Sequence, residues 1–340
     1  MKKTIALLMI AALALTALAG CNGGGGGSSE PPAAPPVSDA GGASETPAAP
    51  AAPVEPDAGG AGEVPLASEV PAEPAAGDWG EGQLISVVSR EDGSGTRGAF
   101  IELLGIQVRG DDGSSTDMTT REATIADGTN VMMTNIAGDP YAIGYISLGS
   151  LNSTVKALDI DGVKATAANV ENGTYKVQRP FKIAWQGEAG GLAGDFIGFI
   201  FSKEGQDIVA DRGYIAIDES APAYSGDRPS GKLVINGSSS VHPLMERLVE
   251  AYQAINGGAD IELHQTDSSA GMTAAMNGSC DIGMASRDLR ESEEEELSHA
   301  TIAIDGIAVI VNNDNPRSGL TSEQVKDIFI GDITEWGGAK

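Results

Sequence analysis

Residues 84–104 read LISVVSREDGSGTRGAFIELL, and this stretch sets the fold class of the chain. The apolar run Leu84–Ser89 predicts a buried strand, and Thr96–Leu104 has the spacing of a helix. The loop between them is rich in glycine, so its backbone N–H groups can approach a ligand closely. The start of the helix adds unpaired N–H donors with a partial positive charge. Strand, loop and helix in this order indicate an α/β unit with an anion-binding loop.

Four side chains of this loop have chemistry that suits an oxyanion. Ser94 and Thr96 supply hydroxyl donors. Arg90 supplies a fork of N–H groups that matches a tetrahedral oxyanion. Asp92, two residues further on, could hold the guanidinium in place.

The spacing Gly93-x-Gly95-x-x-Gly98 also fits the dinucleotide-binding fingerprint. That fold needs an acid at the end of the next strand, about twenty residues later. Asp117 lies at about this distance, but within the polar loop GDDGSSTDM. We therefore disfavour a dinucleotide site.

The rest of the folded part alternates strand-like and helical segments, which predicts an α/β architecture. The strand-like segments are Ala142–Ile146, Val177–Ala184, Lys232–Asn236 and two runs within residues 302–311. The helical segments are Leu192–Val209, a helix with Leu244 to Ile255 along one face, and Ser322–Phe329.

Two further loops precede helices and carry several hydroxyls. One is NGSSSV at 236–241, in which Ser240 is well placed as N-cap and Pro243 lies in the first helical turn. The other is TDSSAG at 266–271. Each could be a plain capped helix. Three hydroxyl-rich helix starts in one chain favour a shared anion site.

The N-terminus has the pattern of an exported lipoprotein. Lys2 and Lys3 precede an apolar stretch of signal-peptide length, Thr4–Leu18. Residues 18–21 read LAGC and resemble a bacterial lipobox. We expect residues 1–20 to be a signal peptide and Cys21 to be the lipidated mature N-terminus. An ordinary secretory signal with an incidental cysteine is the alternative.

Residues 21–78 are predicted to be a disordered tether. Positions 22–78 are rich in Gly, Pro, Ala and Ser and carry nine acids with no Lys or Arg. Such a segment buries too little apolar surface to offset its ordering entropy. A folded unit therefore begins near Trp79.

Charge and motifs exclude several classes of protein. The 340 residues include 48 acids and 21 bases, a net charge of −27, which argues against a nucleic-acid partner. Walker A, HExxH, CxxC and GxSxG motifs are absent from the sequence. We expect no catalytic residues, no cofactor and no metal. Cys280 is expected to be a buried thiol.

Six segments together resemble the phosphate-binding protein of bacterial ABC phosphate importers. They are SREDGSGTRGAF (89–100), GDPYAIGYISLGSL (138–151), GSSSVHPLMERLVEAY (237–252), CDIGMASRDL (280–289), IDGIAVIVNNDNP (304–316) and IFIGDITEW (328–336). The resemblance covers nearly all of residues 79–340. It implies a type II periplasmic-binding fold, in which two α/β lobes joined by a hinge close over one phosphate.

The order of these segments departs from the family. Residues 79–217 resemble its later half and 231–340 its earlier half, joined through 220–230 (SAPAYSGDRPS). The chain is therefore interpreted as a circular permutant, opened just after Trp336. We expect 183–315 to form lobe A, and 79–182 with 316–340 to form lobe B. A monomer is expected, with a swapped oligomer as the alternative.

The resemblance implies a set of phosphate contacts. They are Arg90, Ser94, Gly95, Thr96, Ser240, Val241 through its N–H, Ser268, Ser286 and Arg287. Asp92 falls on the family's partner of the arginine, and Ser269 is a less favoured alternative to Ser268. Arg287 stands where many members have an aspartate that accepts the phosphate proton, so another carboxylate such as Asp305 must take that role.

The expected function is that of a receptor outside the cytoplasm. It would capture inorganic phosphate and deliver it to an ABC permease, held at the membrane by lipidated Cys21. Phosphate is expected to prevail over sulfate. The alternatives are a receptor for sulfate, molybdate or another oxyanion, a phosphate sensor or adhesin, and a phosphatase built on this fold.

Overall fold

The computed structural model describes residue 79 and residues 82–110 and 114–339. The predicted signal peptide, Cys21 and the tether lie outside these residues. The strands are β1 Ser86–Arg90, β2 Gln107–Arg109, β3 Ser115–Asp117, β4 Thr124–Ala126, β5 Ala142–Ser147, β6 Lys156–Ala157, β7 Asp159–Ile160, β8 Gln178–Gln186, β9 Gly231–Ser238, β10 Ala259–Thr266, β11 Ile282–Ala285, β12 Leu297–Val311 and β13 Gly319–Leu320. The helices are α1 Gly95–Leu103, α2 Thr129–Gly138, α3 Ala167–Glu171, α4 Gly191–Ile200, α5 Lys203–Asp211, α6 His242–Ile255, α7 Ser268–Met276, α8 Glu291–Glu294 and α9 Ser322–Ile330. None of the helices in this described part is long and apolar enough to span a membrane.

One continuous hydrogen-bonded path joins most of the strands. Its order is β10-β9-β11-β8-β12-β5-β1-β4, with β6 also paired to β12. The pairs toward both ends are parallel, and the pairs that involve β8 or β12 are antiparallel. Strands that alternate with helices in this way confirm the predicted α/β class.

The buried apolar side chains fall into two groups. The first core lies within residues 87–177 and 307–339, and the second core lies within 181–303. Strands β8 and β12 run from one core toward the other, since β12 contributes Ala303 to the second core and Ile307 to the first. Residues 307–311 thus pack in the first core, although they fall within the range 183–315 that was predicted for lobe A. The predicted boundaries of the two lobes stay a prediction.

Two predicted elements differ in detail. The helix expected over 192–209 is two helices, α4 and α5, because Ser202 has extended backbone angles (φ −80°, ψ 168°) and caps α5 by accepting from the Gly205 N–H. The two strand-like runs expected within 302–311 belong to one strand, β12, with a register irregularity between Thr301 and Ala303.

The segment 220–230 runs between α5 and β9. Most of it is exposed, as expected of a linker. Tyr224 anchors it, because its hydroxyl donates to the carboxylate of Asp195 on α4. The same carboxylate accepts from the hydroxyl of Tyr252 on α6 at 2.6 Å and from the backbone N–H of Asp227 at 2.9 Å. The linker is therefore fixed to two helices of the second core.

Candidate functional site

The loop between β1 and α1 packs closely against loops of the second core. Ser94 caps α1, and its Oγ accepts from the Arg97 N–H at 3.3 Å. A Cβ on the next residue, Gly95, would lie 2.4 Å from Oγ of Ser268 and 2.8 Å from Oγ of Ser286. Only glycine lets the backbone come this close to both hydroxyls.

Four helices begin at this contact. Helices α1 and α2 pack in the first core, and α6 and α7 pack in the second. Each brings a hydroxyl at or near its first residue: Thr96, Thr129, Ser240 and Ser268. Thr96 Oγ1 and Ser240 Oγ share a hydrogen bond of 2.8 Å, and Thr129 Oγ1 lies 3.4 Å from the same Ser240 Oγ. The N–H donors at a helix start favour an anion, so four starts together favour it strongly.

Serines of the second core complete the group. Ser238 Oγ donates to Ser286 Oγ at 3.0 Å, and the Ser286 N–H donates to Ser268 Oγ at 3.1 Å. All members are at least 95% buried. We call the group the hydroxyl cluster, and its members are Ser94, Thr96, Thr129, Ser238, Ser239, Ser240, Ser268 and Ser286.

Arg90 enters the cluster from the end of β1 and is 1% exposed. Its Nη2 donates to Ser239 Oγ at 2.9 Å, and its Nη1 lies 3.4 Å from Thr129 Oγ1. Glu91 binds the other side of the guanidinium, accepting from Nε at 2.7 Å and from Nη2 at 2.5 Å. Burial acts to raise the pKa of Glu91, but the bond and the charge of Arg90 hold that pKa below its usual value. Glu91 is therefore a carboxylate that orients the arginine.

The predicted role of Asp92 is wrong. Its side chain is 96% exposed and accepts from Nη1 of Arg97 at 2.6 Å. Arg90 takes Glu91 instead, because the two residues are adjacent at the end of β1 and Glu91 stays on the protein side of the loop. The Glu91 Oε2 also accepts from the Gly128 N–H at 3.2 Å, which ties the arginine to the start of α2.

The predicted capping role of Ser240 is also wrong. The N-cap of α6 is Val241, without a side-chain cap, and the N-cap of α7 is Asp267, whose Oδ1 accepts from the Ala270 N–H at 2.8 Å. Ser240 and Ser268 therefore turn their hydroxyls into the cluster. Plain helix capping does not account for them.

Arg287 and Ser269 lie beside the cluster and do not contact its hydroxyls. Both Nη groups of Arg287 donate to the carboxylate of Glu293, at 2.7 and 2.8 Å, and Nη2 lies 3.4 Å from Ser269 Oγ. Glu293 is buried, whereas the other residues of the acidic run 291–296 are exposed. Arg287, one of the implied phosphate contacts, is thus paired with Glu293, which neutralises its charge.

A cleft of about 370 Å³ opens next to the cluster. Ser94 and Arg179 line it, together with Arg287, Leu289 and Arg290. Ser94 therefore belongs both to the cluster and to the lining of the cleft, which also includes the acids Asp92, Glu102 and Asp288.

Asp305 is not placed to accept a proton from a ligand in the cluster. Its Oδ1 accepts from Ser147 Oγ at 2.9 Å, and its Oδ2 accepts from Nη2 of Arg179 at 3.1 Å. Both members of this pair have side chains that are 1% exposed. Burial raises the pKa of Asp305 to about 6, while the charge of Arg179 acts in the opposite direction.

Sequence reasoning missed Thr129, Ser239, Glu91 and Arg179. Thr129 had a local signal, because Gly128-Thr129 precedes an apolar helix in the manner of the other loops. Ser239 lies within the quoted serine run, but which of the three serines meets Arg90 depends on tertiary packing. Arg179 had no local signal, since it lies within a strand.

The site provides many hydrogen-bond donors. The hydroxyls, the guanidinium and the helix starts can all donate to oxygens of a tetrahedral anion. Cys280, as expected, is a buried thiol, and burial raises its pKa to about 11. No group of three or more His, Cys, Asp or Glu side chains that could hold a metal occurs among residues 82–110 and 114–339.

Comparisons with known proteins agree with this geometry. The model of the PBP superfamily domain matches residues 73–204 and 222–338. The phosphate-binding protein PstS 2 of Streptococcus agalactiae serotype V is 52% identical over 245 residues, which is 72% of this chain and 83% of that protein. The PstS 2 of Streptococcus pneumoniae serotype 4 is 46% identical over 243 residues, with the same coverage. A crystal structure of a phosphate-binding protein of a phosphate ABC transporter from Streptococcus pneumoniae TIGR4 has a TM-score of 0.62 at 46% identity, covering 76% of this chain and all of that one.

These alignments bear on the order of the segments. An alignment follows both chains from N- to C-terminus, and the match to the Streptococcus agalactiae protein extends over 245 residues. That protein therefore shares the segment order found here. Whether the order is a permutation of other family members stays a prediction.

Mutation can distinguish the role of Glu91 from that of Asp92. Glu91→Ala leaves the buried guanidinium without its carboxylate, so we expect the free energy of unfolding to fall by about 3 kcal/mol. Asp92→Ala removes an exposed carboxylate and should change it little. Urea unfolding of the two variants measures both effects. An equal loss for the two, or a larger loss for Asp92→Ala, would contradict the assignment of Glu91.

Proposed function

This chain belongs to the PBP superfamily and, within it, to the PstS-type phosphate-binding proteins, and we propose that it binds inorganic phosphate in the hydroxyl cluster. The expected family and the two-lobed type II periplasmic-binding fold are confirmed. The proposal makes the chain an extracytoplasmic receptor that hands phosphate to an ABC importer.

The observation that carries the proposal is the meeting of four helix starts on one buried arginine. Helices from both cores supply these starts, so a ligand there would contact both cores at once. Phosphate oxygens would replace the bonds that now join Thr96 to Ser240 and Arg90 to Ser239. Bonds to an anion are shorter and stronger than bonds between neutral hydroxyls, which favours the exchange.

Of the contacts implied by the resemblance, the geometry supports Arg90, Ser94, Gly95, Thr96, Ser240, Ser268 and Ser286 as phosphate ligands. The Val241 N–H instead donates to the Ser238 carbonyl at 3.1 Å. Thr129 and Ser239 join them on the same grounds. Arg287, Ser269 and Asp305 are supporting residues around the site, because each is bound to other partners.

The chain works without catalysis in this proposal, and its relatives are named as binding proteins. Cys21 would carry a lipid and residues 22–78 would hold the receptor off the membrane.

The protein would function as a monomer with permuted segments. Light scattering separates the monomer from a swapped oligomer.

Removing one hydroxyl tests the site. Thr96→Val keeps the shape of the side chain but removes the group that meets Ser240, so we expect the Kd for phosphate to rise about tenfold. Thr116→Val, on the exposed strand β3, is the matched control and should leave the Kd unchanged. Calorimetric titration of both variants gives the comparison. Equal Kd values for Thr96→Val and the wild type would place phosphate elsewhere.

Competition tests the choice of oxyanion. Phosphate near neutral pH carries a proton that it can donate in a hydrogen bond, and sulfate carries none. The hydroxyl oxygens of the cluster can accept such a hydrogen bond as well as donate one. We therefore expect sulfate at a concentration equal to that of phosphate to leave the phosphate titration unchanged. A matching reduction by sulfate or molybdate would favour a general oxyanion receptor.

The lipid anchor has its own test. Cys21→Ser removes the thiol that would be acylated, so we expect the protein to pass from the membrane fraction to the soluble fraction of cells that export it. Mass spectrometry of the wild type should show an acylated Cys21 at the N-terminus. An unmodified residue other than Cys21 at that end would refute the anchor.

A further inference from the structure

Arg179 and Asp305 are a buried ion pair at the place where the two cores are joined. They lie directly opposite each other in the pairing of β8 with β12. On β8, Arg179 precedes Phe181 of the second core, and on β12, Asp305 precedes Ile307 of the first core. The pair therefore sits between the cores on the two strands that run from one toward the other.

The guanidinium of Arg179 is held from three directions. Asp305 Oδ2 accepts from Nη2 at 3.1 Å and faces Nε at 3.4 Å. The ring of Phe181 lies 5.4 Å from Cζ, a cation–π distance. Nη1 donates to the backbone carbonyl of Ser286 at 3.1 Å. Ser286 is a member of the hydroxyl cluster, so the arginine contacts the site through that residue.

A buried ion pair is a poor way to gain stability alone. Replacing such a pair with apolar residues of similar volume is often neutral or stabilising. The Arg179–Asp305 pair lies between the cores, and Nη1 of Arg179 donates to the Ser286 carbonyl. The position that this bond gives to Ser286 therefore explains the pair better than a gain in stability does.

Contacts from both cores fix the position of Ser286. Its N–H donates to Ser268 Oγ, its Oγ accepts from Ser238, and Gly95 of the first core packs on its Oγ. A shift of its carbonyl would move all three contacts.

We propose that Arg179 is a positioning residue of the anion site, which fixes Ser286 and thereby places the Ser286 hydroxyl in the hydroxyl cluster. The inference rests on the proposed function. Arg179 acts through Ser286 and need not touch the ligand.

A double-mutant cycle on phosphate binding tests this inference. The neutral pair variant Arg179→Gln/Asp305→Asn leaves no unpaired buried charge, and Ser286→Ala removes the hydroxyl that the arginine places. We expect each to raise the Kd for phosphate about tenfold, and their combination to raise it no further than the larger single effect. The matched control, Arg247→Gln/Glu250→Gln, removes an exposed pair and should leave the Kd unchanged.

The outcomes separate the explanations. Effects that multiply, to about a hundredfold, would show that Arg179 acts independently of Ser286 and would overturn the inference. A pair variant that binds like the wild type would also overturn it. Should thermal unfolding show that the pair variant does not fold, Arg179→Lys replaces it, since lysine keeps the charge for Asp305 but lacks the fork that also reaches Ser286. Wild-type affinity in Arg179→Lys overturns the inference, and failure of the wild type itself to bind phosphate overturns the proposed function with it.

Discussion

The burial of the hydroxyl cluster is the constraint on which the arrangement of the two cores depends. Eight hydroxyls and one guanidinium are removed from water where loops of both cores meet, and each buried polar group must find a partner. They find one another, chiefly through the bonds of Thr96 with Ser240 and of Arg90 with Ser239. The atoms that join the cores are thus the atoms that would bind the anion. An anion bound there would exchange these bonds for its own and so contact both cores at once.

The features that could be predicted from the sequence are local ones. The strand, loop and helix around Ser94 follow from the apolar run, the glycines and the helical spacing within about twenty residues. The features that could not be predicted depend on direction and packing. Glu91 and Asp92 are adjacent acids, and only the fold shows that the first is turned toward Arg90 and the second toward solvent. In the same way Ser240 looks like a helix cap until packing turns its hydroxyl toward Thr96.

A net charge of −27 is unfavourable for an anion receptor. Exposed charges are screened over about 8–10 Å in physiological salt, so the distant acids have little effect on a buried site. Near the cluster, each buried carboxylate is matched by an arginine. The pairs are Glu91 with Arg90, Asp305 with Arg179, and Glu293 with Arg287. These pairs largely cancel, which leaves the partial positive charge of the four helix starts as the local field.

The pair formed by Arg179 and Asp305 contacts both sides of the junction. Asp305 accepts from Ser147 at the end of β5, which packs in the first core, whereas Arg179 donates to Ser286 at the end of β11, which packs in the second. Because β8 and β12 are hydrogen-bonded through this region, the two charges stay opposite each other if either core moves. A displacement of one core relative to the other must then strain the bond to Ser147 or the bond to Ser286. The second of these bonds leads directly into the hydroxyl cluster, so the geometry of the junction and the geometry of the site cannot change independently.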